Sequence, residues 1–391
     1  MARHLKMEPH APALVIGAGP AGLAVAACLK GRGVPSIVIE RGAAVAAGWR
    51  RHYDRLHLHT AARHSSLPGL AFPAGTPRYP SRDQMVGYLE AYARRFGIVP
   101  HLGEEVVSLQ PRDGEWIAKT STGLYRSRTV VVATGMNAIP WMPAWPGEER
   151  FRGQILHSLE YRNGEPFRGK RVLVVGFGNS AGEIAIDLHE HGAHPTMAVR
   201  SPVNIVPRDI LGIPISSVSL LLSRVPTRLA DALAPGISRL ATGDIGRFGL
   251  TRARVSPMTQ IRVHARIPLI DIGTLELIRR GHIQIRPDIR SIAEHEVTFA
   301  GGVRGEFDAI VAATGFRPGV ARFLDPSLDC EPADSDGRAG ATWPRSRVES
   351  TNGLYFCGFT VTPTGMFREV GYEARRIAAH IARMAQSARP P

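Results

Sequence analysis

Glu40 and Arg200 set the chemistry that this chain can hold. Each ends an apolar run that lies one helix beyond a glycine-rich turn. Glu40 follows Gly17-Ala18-Gly19-Pro20-Ala21-Gly22, and Arg200 follows Gly176-Phe177-Gly178-Asn179-Ser180-Ala181. A carboxylate about 20 residues beyond such a turn accepts hydrogen bonds from a ribose diol. At the matching offset the second turn has Val199, so repulsion against a 2′-phosphate is gone and Arg200 offers that phosphate a charge-assisted bond. One acid-type site and one phosphate-type site make FAD and NADPH the matching pair, FAD at the first and NADPH at the second. Hydride can then pass from nicotinamide to flavin, and spacing alone leaves open where it goes next.

Those side chains need strand–turn–helix–strand units to hold them. Leu14–Ile16 reads as a buried parallel strand, the stretch from about Leu23 to Lys30 as a helix closed by Gly31 and Gly33, and Ser36–Ile39 as a second strand. Gly17 permits the tight turn, Gly19 lets a pyrophosphate approach the backbone, and Gly22 lets helix and strand pack closely. The helix start then offers unbonded N–H groups and a partial positive charge. Arg171–Val175, a helix through Leu188 and Thr196–Val199 repeat the pattern. Each copy later ends an apolar strand in Ala-Thr-Gly, which adds Thr134 and Gly135, then Thr314 and Gly315, as cofactor contacts. Gly48 and Trp49 join the first set. From Gly17 to Gly135 is 118 residues and from Gly176 to Gly315 is 139, so the second copy carries an insertion, at about 209–252, that reads as helical.

A helix over Ser81–Phe96 with Ser81 as N-cap and strand meanders over Val106–Val132 and Ile283–Phe307 fill the intervals. Gly353–Gly358 and a helix from about Gly371 to Met384 return the chain to the first sheet. The expected fold is α/β with two Rossmann-type dinucleotide domains, the NADPH domain inserted into the FAD domain. The expected boundaries are 1–152 and 305–391 for FAD and 153–304 for NADPH.

A chain of 391 residues exceeds one ordinary core, which agrees with two domains. The longest apolar stretch, Ile213–Leu222, is broken by Pro and Ser and is too short for a bilayer, and the first ten residues lack an apolar signal core. No transmembrane segment and a cytoplasmic location are therefore expected. Cys28, Cys330 and Cys357 lie far apart and never as C-x-x-C, which suits a reducing compartment and offers neither a metal site nor a redox dithiol. The net charge of +14 comes from scattered Lys and Arg with no basic block interleaved with aromatics. That pattern speaks against nucleic acid and for an Arg-rich solvated surface, whose field would still help gather anionic cofactors and substrates.

Between the copies, FRGQILHSLEY (Phe151–Tyr161) fits F-x-G-x-x-x-H-x-x-x-Y, the signature of flavin-containing monooxygenases. The related Baeyer–Villiger enzymes usually close that motif with Trp. From about Ala13 to Ile381 the chain resembles the plant YUCCA family of flavin monooxygenases. The matching stretches include GAGPAGLAVAACLK, YDRLHLH, KRVLVVGFGNSAGEIAIDL, GDIGRFGL, PLIDIGTLELI and GLYFCGF. The resemblance implies an FAD enzyme that uses NADPH and O2 through a C4a-(hydro)peroxyflavin. Its expected reaction is oxidative decarboxylation of an aryl 2-oxo acid such as indole-3-pyruvate, with N- or S-oxygenation of a small amine or thioether as the alternative. It also implies a catalytic role for His59, which stands where related flavin monooxygenases carry Asn near flavin C4a; an ordinary loop histidine is the competing reading. His157 reads as a structural linker. The chain departs from the family at Thr60–Arg63, where Leu-Pro-Lys is usual, and along the loop Asp325–Arg347.

Overall fold

Short Val-, Ile- and Leu-rich runs form the centres of two parallel sheets in the computed structural model, which describes residues 6–7, 11–222, 236, 239, 242–325 and 352–387. Runs of this kind, apolar on both faces, are stable only where helices or further strands cover both sides. The chain divides into two compact units, one made of Met1–Arg50, Ala61–Ile139 and Arg317–Pro391, the other of Arg51–Thr60 and Pro140–Phe316.

In the first unit five parallel strands run in the order Leu354–Phe356, Val130–Val132, Ala13–Ile16, Ser36–Glu40, His101–Leu102. Leu14, Val15 and Val130 to Val132 are fully buried, each worth roughly 1.5–3 kcal/mol of transfer free energy. The helix Pro20–Lys30 follows the central strand and is buried along nearly its whole length. The helix Arg82–Phe96 starts on a capping box in which Ser81 and Gln84 satisfy each other's backbone N–H, and it stops at Gly97 in the left-handed region. An antiparallel meander, Val106–Arg112, Glu115–Thr120 and Gly123–Ser127, carries a second small sheet. Glu104 is buried beside it and accepts from the hydroxyls of Thr120, Thr122 and Tyr125. The C-terminal return closes the sheet edge as expected. Its helix is longer than expected, Met366–Ser387, because Gly371 sits within the helix against Pro68 instead of starting it.

The second unit repeats the plan with strands Gln154–His157, Ala309–Ala312, Arg171–Val175, His194–Ala198 and Gln284–Arg286, all parallel. A three-stranded antiparallel sheet, Ile289–Ile292, Glu296–Phe299 and Arg304–Glu306, follows. In each sheet the strand that opens the glycine turn is central. The edge position next to the Ala-Thr-Gly strand is filled from the C-terminus in the first unit and by the preceding segment in the second.

The division between units differs from boundaries at 152/153 and 304/305. Ala309–Ala312 is hydrogen-bonded on both sides within the second sheet, which holds residues 305–316 there. Residues 51–60 also belong to the second unit, because Tyr53 enters its apolar core. The segment expected to be a helical insertion opens with a hairpin, Asp209–Ile210 against Ile213–Pro214. Its turn residues Leu211 and Gly212 both have positive φ, as the tightest hairpins require. A helix, Ile215–Leu222, and a short 3-10 turn, Gly246–Phe248, follow. The rest of that segment, residues 223–235, 237–238 and 240–241, and nearly all of the divergent loop with Cys330 lie outside the described residues. Among the described residues no helix is long and apolar enough to cross a membrane.

Candidate functional site

The first glycine turn is held open by its neighbours. Gly17 has φ 110° and donates to Ile39 O at 2.7 Å, and a Cβ there would lie 2.7 Å from Ala133 O. Only glycine fits that conformation and that approach. A Cβ on Gly22 would fall inside contact of Gly17 O, whereas one on Gly19 would meet nothing within 4 Å. So Gly17 and Gly22 serve the packing, and Gly19 leaves an open face. The helix start has no side-chain cap, Pro20 in its first turn and no acidic residue there. The N–H groups of Ala21 and Gly22 and the helix dipole are thus available to a phosphate. Thr134 and Gly135 follow Ala133 beside this turn. Trp49 packs against Phe367, and Gly48 has an open face.

Glu40 does more here than its spacing suggests. Its Oε2 accepts from Ala18 N at 2.8 Å and its Oε1 from Gly42 N at 2.7 Å. The carboxylate therefore staples the glycine turn to the end of the second strand. Each oxygen has a further lone pair for a ribose hydroxyl.

The second turn has the same construction. Gly176 has φ 121° and donates to Ala198 O, and a Cβ there would lie 2.6 Å from Ala313 O. The bonds from Gly17 to Ile39 and from Gly176 to Ala198 span the same 22 residues, so Val199 occupies the place of Glu40. Gly178 caps the helix Asn179–Glu190 without a side-chain bond and has an open face. Arg200, just past the strand end, is exposed. Phe177 packs against the unit's core, and Ala181 is fully buried in the third position of the motif. Asn179 is partly committed elsewhere, its Oδ1 accepting from Ile270 N at 2.7 Å. Spacing missed Gly182. A Cβ there would lie 2.8 Å from Thr274 Oγ1 and 2.9 Å from Leu269 Cδ1. That close approach is to the segment Leu269–Thr274 and not to the glycine turn, which Gly22 faces in the first copy.

His157 is confined as a linker. The ring is 2% exposed, its Nε2 lies 3.0 Å from Gly315 O, and its Nδ1 accepts from Leu159 N at 3.1 Å. Both nitrogens are used, and burial lowers its pKa, so the ring is neutral with its proton on Nε2. Thr314 Oγ1 donates to Trp141 O, which fixes the other side of the Ala-Thr-Gly loop. The Tyr161 hydroxyl, buried, donates to Asp187 Oδ2 at 2.6 Å.

His59 lies in the second unit, on the short segment 51–60 that packs along one face of the helix Asn179–Glu190. Tyr53 is hydrogen-bonded to Ser180, and its hydroxyl pKa is raised by burial and then by Glu183. His59 Nε2 approaches Glu183 Oε1 at 2.9 Å, and Arg55 pairs with Glu190. Ser180, Glu183, Asp187 and Glu190 follow helical spacing, so they form one polar seam on an otherwise apolar helix. That seam is legible in GNSAGEIAIDLHE as acids at i and i+4, Glu183 and Asp187.

Residues 14–209 match the family described as pyridine nucleotide-disulphide oxidoreductase. Over 353 residues the chain is 40% identical to indole-3-pyruvate monooxygenase YUCCA1 of Oryza sativa subsp. japonica, covering 89% of this chain and 86% of that one. It is 39% identical over 357 residues to probable indole-3-pyruvate monooxygenase YUCCA1 of Arabidopsis thaliana, covering 90% and 85%. Among solved structures, a flavin-containing monooxygenase from Stenotrophomonas maltophilia superposes with a TM-score of 0.73 over 97% of this chain and all of that one. At 20% identity that likeness speaks for the fold alone. Two diverged glycine turns of equal register, the linker motif between them and these relatives lead to one conclusion: the chain belongs to the YUCCA family of flavin monooxygenases.

Proposed function

We propose that this chain is an NADPH- and O2-dependent flavin monooxygenase that oxidatively decarboxylates an aryl 2-oxo acid such as indole-3-pyruvate, the substrate for which its relatives are named. In the overall reaction the 2-oxo acid, O2, NADPH and one proton become the acid one carbon shorter, CO2, NADP+ and water. The bond to the carboxylate carbon breaks, one oxygen atom enters the product acid and the other leaves as water. Bound FAD supplies hydride acceptance and oxygen activation.

The observation that carries this reading is the pair of uncapped helix starts in equal register with unlike strand ends, Glu40 in one and Val199-Arg200 in the other. Gly19, Ala21 and Gly22 would hold the FAD pyrophosphate, and Glu40 the adenosine ribose. Trp49, Thr134 and Gly135 would line the same cofactor. Gly178 to Ala181 would hold the NADPH pyrophosphate, Arg200 its 2′-phosphate, and Thr314 and Gly315 its flank. His59 would handle a proton near the reacting atoms. The separated cysteines and the lack of a spanning helix among the described residues support a cytoplasmic enzyme acting on a small molecule.

Purified protein supplied with FAD should be yellow, bleach with NADPH and recolour in air. Oxygen uptake with NADPH is then measured against indole-3-pyruvate, phenylpyruvate, amines and thioethers, with products identified. Product from the amines or thioethers alone overturns the substrate assignment, and a colourless protein overturns the flavin.

A further inference from the structure

Glu183 is a costly side chain to bury. It is 1% exposed, and neither carboxylate oxygen makes an aligned hydrogen bond. Burying an ionised carboxylate without partners costs several kcal/mol or more, so a folded protein keeps one only beside a compensating group. The group within reach is His59, with Nε2 at 2.9 Å from Oε1. The remaining charges along the seam are engaged otherwise: Arg55 faces Glu190, and Asp187 accepts from Tyr161. Tyr53 bonds to Ser180 one turn earlier on the helix. Both His59 ring nitrogens are shielded, and neither makes an aligned hydrogen bond.

We infer that Glu183 is a positioning residue: it orients the His59 ring and keeps an N–H on Nε2 toward Oε1, which leaves Nδ1 as the acceptor nitrogen whenever the ring is neutral. An ionised carboxylate can only accept, which makes the ring nitrogen nearest to it the N–H. In a neutral imidazole the other nitrogen then holds the lone pair. The 2.9 Å contact is within the length of such a bond, and a better-aligned ring would complete it. A histidine so held keeps its acceptor nitrogen in one fixed direction. An ordinary loop histidine would exchange tautomers and have no fixed direction. The state of the ring in the resting protein needs no assumption about turnover, whereas its use during turnover rests on the monooxygenase reading above.

The test begins with full-length protein labelled with 15N in histidine. Ring spectra at mildly alkaline pH identify His59 by its loss in His59→Asn. The expected result is an N–H signal at Nε2 and a bare nitrogen at Nδ1, and the opposite tautomer overturns the inference. In Glu183→Leu the single tautomer should give way to a mixture, and an unchanged spectrum overturns it. If Glu183→Leu does not fold, Glu183→Met, unbranched at Cβ and Cγ like glutamate and only a weak acceptor, is read in the same way. Under turnover, loss of the orienting acid should lower kcat/KM roughly 10–100-fold, by analogy with the loss of the partner behind a metal-ligating histidine. The same change made in His59→Asn should cost nothing further, and equal losses in both backgrounds overturn the inference. Wild-type protein that oxygenates no substrate would sink the proposed function while leaving the tautomer result to stand or fall by itself.

Discussion

Gly19→Ala and Gly22→Ala add the same methyl group three residues apart and should fail in different ways. Gly19 has an ordinary φ of −83°, and a Cβ there meets nothing within 4 Å. Alanine would restrict the unfolded chain and add about 0.4–1 kcal/mol of stability. Its methyl would stand on the open face where a pyrophosphate has to approach. Gly22 is inside the helix, where alanine alone would gain about 1 kcal/mol. Its Cβ would press on Gly17 O and lie 3.3 Å from Val15 Cγ1. Neither can retreat, because Gly17 is tied to Ile39 and Val15 lies mid-sheet. Overpacking costs about 1–3 kcal/mol, and a backbone obstacle places it at the upper end. The net loss is about 2 kcal/mol, a melting point lower by ~4–8 °C for a unit of this size. Flavin-free protein is melted and then titrated with FAD. Gly19→Ala should melt at or above the wild-type temperature and bind FAD at least about tenfold more weakly, a loss of ~1.4 kcal/mol. Gly22→Ala should melt lower. Wild-type FAD affinity in the first variant, or a wild-type melting point in the second, refutes this account of the turn.

Arg200→Ala should raise the NADPH KM on the order of ten- to a hundredfold and leave NADH unchanged, as follows from losing a bond to a charged group worth ~1.5–3 kcal/mol; steady-state kinetics with both nucleotides decides it. His157→Gln should lower thermal stability by about 1–3 kcal/mol through the unpaired Gly315 and Leu159 groups, yet leave the shape of the pH–rate profile unchanged. Tyr161→Phe strips Asp187 of its buried donor and should cost a similar amount, read from denaturant midpoints. Burial raises the Glu104 carboxyl, but three hydroxyl donors and His101 outweigh it and hold the pKa below the ordinary value. The resulting stability is fully present above the unfolded carboxylate range, about pH 4.3, and is lost as pH falls through the lower folded value. Glu104→Gln should therefore reduce stability at neutral pH and flatten its decline in acid.

Much of the candidate site was legible because its logic is local. Gly17, Gly19, Gly22 and Glu40 lie within one strand–turn–helix–strand unit, where spacing along the chain dictates position in space. The second copy repeats that register, so Val199 and Arg200 could be matched to Glu40 and Arg41 by counting alone. His157 as a linker also followed from its place between the copies. The hairpin at Asp209–Pro214 was missed because Leu211 in the left-handed region is an uncommon choice for such a turn.

By itself the amino-acid sequence determined the two dinucleotide units, their unlike strand ends and the return of the C-terminus to the first sheet, since each rests on periodicity and turn chemistry over some twenty to thirty residues. Only the tertiary structure decided that residues 51–60 belong to the second unit, that Gly182 lies close against Leu269 and Thr274, and that Glu183 meets His59. Those contacts join residues that are distant in the chain, brought together by close packing of the unit's core, which no local pattern records.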